Sequence, residues 1–331
     1  MKYIPFSDGK TSVSKICLGT MNFGDKCDFR QSEAIVRSAI EHGINFFDTA
    51  PMYSRGVAEE FLGRAIEGKR DKLFIATKVH AGLDEATIVK SIDESLARLR
   101  TDHVDLYLIH WPTPGMILNQ MMSGLARVVA SGKARYVGCC NFPAWVVGSS
   151  NLIAAENGWP KLSCNQVAYN LIERGVEVEV LPQAVTEGLF ITAYRPLAIG
   201  LLTGTFRSGK PLDPAKRGTT DPRVITWLSQ HGGSIERFIR HCEARGYEPA
   251  QAATAWINRS PAIGAPIVGA SSPAQVEAAA ASTEISLTDE EYRDITDLFD
   301  TEVKEEGLQL FPGLKYNYPR LRRTLFLAKR E

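Results

Sequence analysis

Compact apolar runs recur along the chain, separated by segments in which apolar residues return every three or four positions. The runs are KICLG (15–19), NFFDTA (45–50), LFIATKV (73–79), VDLYLIHW (104–111), ARYVGCCNF (134–142), CNQVAY (164–169), LFITAY (189–194) and APIVGA (265–270). Runs that are apolar almost throughout suit strands covered on both faces, as in parallel sheets. Between them, residues 30–43 read as a helix with Ser32 as its cap, Ile35, Ala39 and Ile40 on one stripe and Gly43 closing the end. Residues 84–100 read the same way, with Asp84 as cap. Eight such β-then-α units predict an α/β fold, a closed (β/α)8 barrel. The Asp8-Gly9 dipeptide between two short β-prone stretches predicts an opening two-residue hairpin. Two segments break the pattern and are expected to be loops: 200–232 and the tail from about residue 302, which is expected to pack over the pocket.

Length alone admits two ordinary domains or one large barrel, and the repeated units favour a single domain over residues 1–331. A doubly wound dinucleotide fold would carry G-x-G-x-x-G at an early strand-to-helix turn, and the chain has no such string. Apolar residues make up 44% and charged residues 23%, the balance of an ordinary globular protein. Basic and acidic residues number 38 each, so no overall field steers the molecule to nucleic acid or an anionic membrane. No apolar stretch resembles a signal peptide or a membrane span, and the expected location is cytoplasmic. The six cysteines form no C-x-x-C pair, and adjacent Cys139 and Cys140 point to opposite faces of a strand, so no metal site is expected.

In a barrel of this kind chemistry belongs to the carboxyl ends of the strands. Asp48 ends the second run, Tyr53 follows in its loop, Lys78 ends the third and His110 the fourth. Singly, these could be a turn acid, a loop aromatic, a solvated lysine and a core histidine. Together, on neighbouring strands, they describe a catalytic site. Lys78 and Asp48 would pair, the cation would lower the Tyr53 pKa, and His110 would orient a carbonyl oxygen.

The strings GINFFDTAPMYSRGVAEEFLGRAI, LFIATKV, VDLYLIHWP, VGCCNF, CNQVAYN and AYRPLAIGLLTG resemble those of the aldo-keto reductase superfamily over roughly residues 1–285. The resemblance implies a carbonyl reductase or alcohol dehydrogenase using NADP(H), with NAD(H) left open. In that reading the nicotinamide gives a hydride, Tyr53 gives a proton, Lys78 and Asp48 tune it, and His110 positions a small-molecule aldehyde or ketone. The resemblance also implies cofactor contacts. Asn141 and Gln166 would meet the carboxamide, Tyr194 the ring, and Thr20 and Met21 would lie nearby. Pro196, Leu197, Gly200 and Leu202, followed by Arg207 and Lys210, would run over the pyrophosphate. Gly269, Ser271 and Gln275 would hold the adenosine end. Departures from the family pattern fall at Gln275 (often Arg), Ala279 (often Asn), Arg195 (often Ser) and Thr205 (often Lys).

Trp111, Phe142 and Trp145, with Met21 and the tail aromatics Phe311, Tyr316 and Tyr318, are the expected substrate-pocket residues. Sugars, small aldehydes, keto natural products and steroids all remain open, as does the oligomeric state. Two other functions compete: a non-catalytic cofactor-sensing subunit of the same fold, and a lyase using Lys78 as a Schiff-base nucleophile. A tight carboxylate partner argues against the lyase, because it keeps the lysine protonated.

Overall fold

The computed structural model describes residues 1–80, 82–207 and 221–300, together with two short strands, 308–311 and 314–316, in backbone pairing alone. Lys210, Tyr318 and most of the tail lie outside the described residues, so the expectation of a tail over the pocket falls there too.

Eight parallel strands close the barrel: β3 (Cys17–Gly19), β4 (Phe46–Asp48), β5 (Phe74–Val79), β6 (Val104–Ile109), β7 (Ala134–Cys140), β8 (Leu162–Ala168), β9 (Phe190–Tyr194) and β10 (Ala265–Gly269). Each lies within or over one of the eight apolar runs, and β10 returns to pair with β3. The helices packed outside are α1 (Phe29–Glu41), α2 (Val57–Ala65), α3 (Glu85–Leu99), α4 (Leu118–Ala130), α5 (Ala144–Asn157), α6 (Val180–Glu187), α8 (Pro249–Arg259) and α9 (Pro273–Ala281). Helices α7 (Pro222–Ala244) and α10 (Asp289–Asp300) are additions to the barrel.

Strand alternation sorts side chains between two cores. Phe46, Phe74, Ala76, Leu106, Leu108, Cys140, Cys164 and Ile267 fill the barrel interior, while Phe47, Ile75, Tyr107, Ile109 and Cys139 pack beneath the helices. The opening hairpin, β1 (Tyr3–Pro5) with β2 (Ser12–Ser14), closes the amino end of the barrel. Its Phe6 meets Phe74, Tyr136 and Phe190 at ring distances of 4.9, 4.8 and 4.7 Å. With that end plugged by aromatic rings among the described residues, a ligand would approach from the carboxyl end.

Three local expectations are corrected. The hairpin connection spans more than two residues, because Asp8 Oδ1 accepts from the amides of Lys10 and Thr11 at 2.9 and 3.1 Å and builds a wider turn around Gly9. Helix α1 is capped by Asp28, not Ser32: Asp28 Oδ1 accepts from the Gln31 amide at 2.8 Å and Gln31 Oε1 accepts from the Asp28 amide at 3.0 Å. Ser32 is buried inside the first turn, whereas Asp84 caps α3 and Gly43, at φ +79°, closes α1 as read. Finally, much of 200–232 is ordered. Residues Ala198–Thr203 form a 3-10 segment, and Asp221 caps α7 with Pro222 in its first turn.

Candidate active site

The strand register aligns the inward-facing groups at the open end. Asp48 closes β4, Lys78 sits one residue before the end of β5, His110 follows β6, Gln166 lies in β8 and Tyr194 closes β9. Tyr53 begins a 3-10 turn, Tyr53–Gly56, that leads into α2. That turn holds Ser54, Arg55 and Gly56 at φ +47°, +55° and +93°. Left-handed conformations at non-glycine residues cost on the order of 1–3 kcal/mol each, so the surroundings must enforce the shape. Ser54 Oγ donates to the Phe23 carbonyl at 2.8 Å, which is one such constraint.

Four of the sequence-derived residues meet. Lys78 Nζ donates to Asp48 Oδ1 and Oδ2 at 2.7 and 2.8 Å and to the Thr49 carbonyl at 2.8 Å. A longer contact reaches Tyr53 Oη at 3.4 Å, and the Tyr53 and His110 rings lie edge to face with centroids 6.0 Å apart. Lys78 is fully buried and Asp48 nearly so. Burial is the largest single influence and works against a charged lysine, but the charge and hydrogen bond of Asp48, with lesser help from Tyr53 and Cys140, together hold the Lys78 pKa above its ordinary value. A lysine held this firmly as a cation does not serve as a Schiff-base nucleophile.

The expected direction of the Tyr53 shift is corrected. Burial pushes the phenol up to about 12; Lys78 opposes that rise and Asp48 reinforces it. The main reason is the depth of burial, which outweighs the lysine; the Asp48 carboxylate that takes the lysine's short contacts offsets part of its influence as well. His110 is driven the other way, down to about 3, first by burial and then by the Lys78 charge and by His80. Its Nδ1 is buried without a hydrogen-bond partner among the described residues. Burial therefore favours the protonated phenol and the neutral imidazole in the same site.

The amide residues serve the site in ways the sequence did not reveal. Gln166 Nε2 donates to Asp48 Oδ1 at 2.8 Å, so this carboxylate is held from two sides. Thr20 is fully buried, and its hydroxyl donates to the Asp48 carbonyl at 3.1 Å. Asn141, at φ +63°, donates from Nδ2 to the His110 carbonyl at 3.3 Å and accepts at Oδ1 from the Tyr194 hydroxyl at 2.8 Å. Arg195, one of the departures noted above, lies with its guanidinium 4.8 Å from the Tyr194 ring centre and donates to the Tyr194 oxygen at 3.2 Å. These links could be found only by knowing which strand ends face one another.

The more distant expectations divide. Met21 is exposed on the rim, Gly200 adopts φ +95°, Pro196 is buried and Leu197 half-buried. The Leu202 side chain is wholly within the outer core, which leaves only its backbone to face a ligand. Arg207 is engaged by Glu236 and Glu243. Gln275 is turned inward on its own loop: its Oε1 accepts from Ser271 N at 2.8 Å and from Ser271 Oγ at 3.1 Å. Nearby, the α9 amino end opens on a cavity of about 470 Å³ lined by Asp28, Arg30, Gln31, Ala34, Ser271, Ser272 and Pro273, so that an acid as well as a base borders it. Trp111 and Trp145 are exposed, but Phe142 is buried in the outer core, so the side chain serves packing rather than an open pocket.

The aldo/keto reductase family model matches residues 15–300, nearly the whole barrel. This chain belongs to the aldo/keto reductase family. It is 33% identical to the uncharacterized oxidoreductase YrpG of Bacillus subtilis, covering 90% of this chain and 96% of the relative. It is 30% identical to the aldo-keto reductase YhdN of the same organism, over 92% and 96% of the two chains. The methylglyoxal reductase YeaE of Escherichia coli is 31% identical over 70% of this chain and 82% of its own. This aldo-keto reductase is accordingly an NAD(P)-dependent oxidoreductase. No helix among the described residues is long and apolar enough to cross a membrane.

Because Lys78 and Asp48 are buried together, removing one should be far more damaging than removing both. Lys78→Met is expected to destabilise the fold by about 3–5 kcal/mol by stranding a buried carboxylate. Asp48→Asn in the same chain should recover much of that loss. Urea unfolding of the two single variants and the double variant checks this; strictly additive losses would contradict the pairing.

Proposed function

We propose that this aldo-keto reductase reduces aldehydes or ketones to alcohols, with Tyr53 as the proton donor. The observation that carries the reading is the pairing of a phenol kept protonated by burial with an imidazole kept neutral beside it. When bound, a reduced nicotinamide supplies the hydride taken up by the carbonyl carbon. Tyr53 Oη then delivers its proton to the carbonyl oxygen, and the phenolate left behind is stabilised by Lys78 at 3.4 Å. His110, with its proton on Nε2, donates a hydrogen bond that holds the oxygen toward Tyr53. The reverse reaction, alcohol oxidation, uses the same groups but needs the phenolate first.

The donor set at the open end fits a nicotinamide dinucleotide. Asn141 and Gln166 offer amides to match the carboxamide, and the half-buried Tyr194 ring offers a flat apolar face. Met21 and the backbone of Pro196, Leu197, Gly200 and Leu202 follow the same rim, and Gly269 with Ser271 leads to the α9 amino end. The cavity there suits the adenosine end. Gln275 spends its acceptor oxygen on Ser271, and Arg30 on α1 supplies a cation at the lip of that cavity. We therefore assign the preference for NADP(H) over NAD(H) to Arg30 together with Ser271 and Ser272, in place of an arginine at position 275. Met21, Met52, Trp111 and Ile117 are substantially exposed on loops at the catalytic end, and Trp145 is exposed in the first turn of α5. Such a rim favours a carbonyl carrying an apolar body. The relative YeaE is called a methylglyoxal reductase, which supports the carbonyl chemistry.

Two outcomes are expected. Tyr53→Phe should lower the single-turnover rate on 4-nitrobenzaldehyde by about 10² to 10⁴-fold while NADPH binding, followed by tryptophan fluorescence, stays unchanged. A variant retaining more than about a tenth of the rate would rule Tyr53 out as the donor. Arg30→Ala should weaken NADPH binding by about ten- to a hundredfold and leave NADH binding nearly unchanged, since a hydrogen bond to a charged group contributes about 1.5–3 kcal/mol. Equal effects on both cofactors would contradict the assignment.

A further inference from the structure

Glu59 is a completely buried carboxylate that the chemistry above does not use. It sits on α2, directly after the turn that carries Tyr53, and it faces the outer side of β5. Its Oε1 accepts from Thr77 Oγ1 at 2.6 Å, and its Oε2 accepts from Arg98 Nε on α3 at 2.6 Å. Thr77 is the residue before Lys78, so alternation turns its hydroxyl outward to Glu59 while Lys78 turns inward to Asp48 and Tyr53. Arg98 also lies against the turn itself. A Cβ placed on Gly56 would meet Arg98 Cδ at 2.8 Å, so the arginine stem presses on the backbone three residues beyond Tyr53.

We propose that Glu59 is a positioning residue for proton transfer. Through Thr77 and Arg98 it ties the strained Tyr53 turn to the strand bearing Lys78. It thereby fixes the separation of Tyr53 Oη from Lys78 Nζ, which is 3.4 Å. Three features converge on this role. The Tyr53 turn has consecutive left-handed residues and needs external support. The α2 helix is already seated tightly on α3, where a Cβ on Gly63 would meet the Leu99 carbonyl oxygen at 2.5 Å. The remaining freedom is sliding or rotation of α2 against β5, and in the described residues the side-chain hydrogen bond between Thr77 and Glu59 opposes it. Proton transfer is sensitive to such motion, since a displacement of about 1 Å in a reacting group costs up to 10²-fold.

The inference rests on Tyr53 as proton donor, and the test separates the two. Thr77→Val removes the hydroxyl with little change of shape, and Thr77→Ser keeps it. On 4-nitrobenzaldehyde with NADPH, Thr77→Val should lower the single-turnover rate about 10- to 100-fold. The aldehyde KM and the NADPH dissociation constant, read from tryptophan fluorescence, should stay within about twofold. Thr77→Ser should restore most of the rate. If Thr77→Val does not fold, Arg98→Lys, which keeps a cation beside the buried Glu59 but loses the fixed guanidinium contact, tests the other arm with the same expected selectivity. A Thr77→Val enzyme that keeps more than half its rate overturns the brace, whatever its melting temperature. A loss spread evenly over rate, KM and cofactor affinity also overturns it, as a merely structural effect. An active Tyr53→Phe enzyme would instead sink the donor reading and this inference with it.

Discussion

The candidate active site depends on one buried ion pair. Lys78 and Asp48 together occupy the top of the barrel interior, out of reach of water, and neither could stand there without the other. Their geometry sets the properties of everything around them. Asp48 draws in Gln166 and keeps Lys78 charged; Lys78 favours the Tyr53 phenolate, but burial outweighs it and Asp48 opposes it. Its charge still reaches His110 and, added to burial, keeps that ring neutral. In the function proposed above, this would make Tyr53 a donor that keeps its proton until it is needed, beside a neutral His110 facing the carbonyl oxygen.

The barrel supplies the frame in which that pair can exist. Alternation along β4, β5 and β6 carries phenylalanine, alanine and leucine into the interior and then, at the last inward position, Asp48, Lys78 and His110. Phe6 and its aromatic neighbours close the opposite end. The polar layer therefore has apolar packing below it and the rim of Met21, Met52, Trp111 and Trp145 above. Desolvation, which dominates the shifts of both Tyr53 and His110, is a property of this architecture rather than of any one neighbour.

How much could be read beforehand follows from the range of each interaction. The eight strands were legible because burial on both faces leaves an unbroken apolar run, a purely local signal. Asp48, Tyr53, Lys78 and His110 were legible because they end those runs. The cap of α1 is not legible from periodicity, because a capping box needs both partners and Asp28 precedes the periodic stripe, where Ser32 is the nearer hydroxyl. The α7 helix was hidden by the Gly, Pro and basic residues leading up to it. The sign of the Tyr53 shift was misjudged for a different reason: a nearby cation is visible in sequence, whereas the depth of burial and the direction of its hydrogen bonds are not. The same holds for Gln166 and Gln275, whose side chains go to Asp48 and Ser271 across folded distances. Phe142 packs in the outer core, where continued alternation from the inward Cys140 would not put it, because β7 ends at Cys140 and Asn141, at φ +63°, breaks the extended backbone.

The claim that burial overrides the lysine and keeps Tyr53 protonated can be measured directly. Tyrosine labelled with 13C at Cζ gives one resonance per ring, and Tyr53→Phe identifies the relevant one. The account predicts that this resonance stays at its phenol position through neutral pH and moves only as the pH nears about 12. It also predicts that Lys78→Met shifts the midpoint upward, since the cation can only favour the phenolate. A Tyr53 resonance that titrates near neutral pH would contradict the account and restore the lysine as the dominant influence on the phenol.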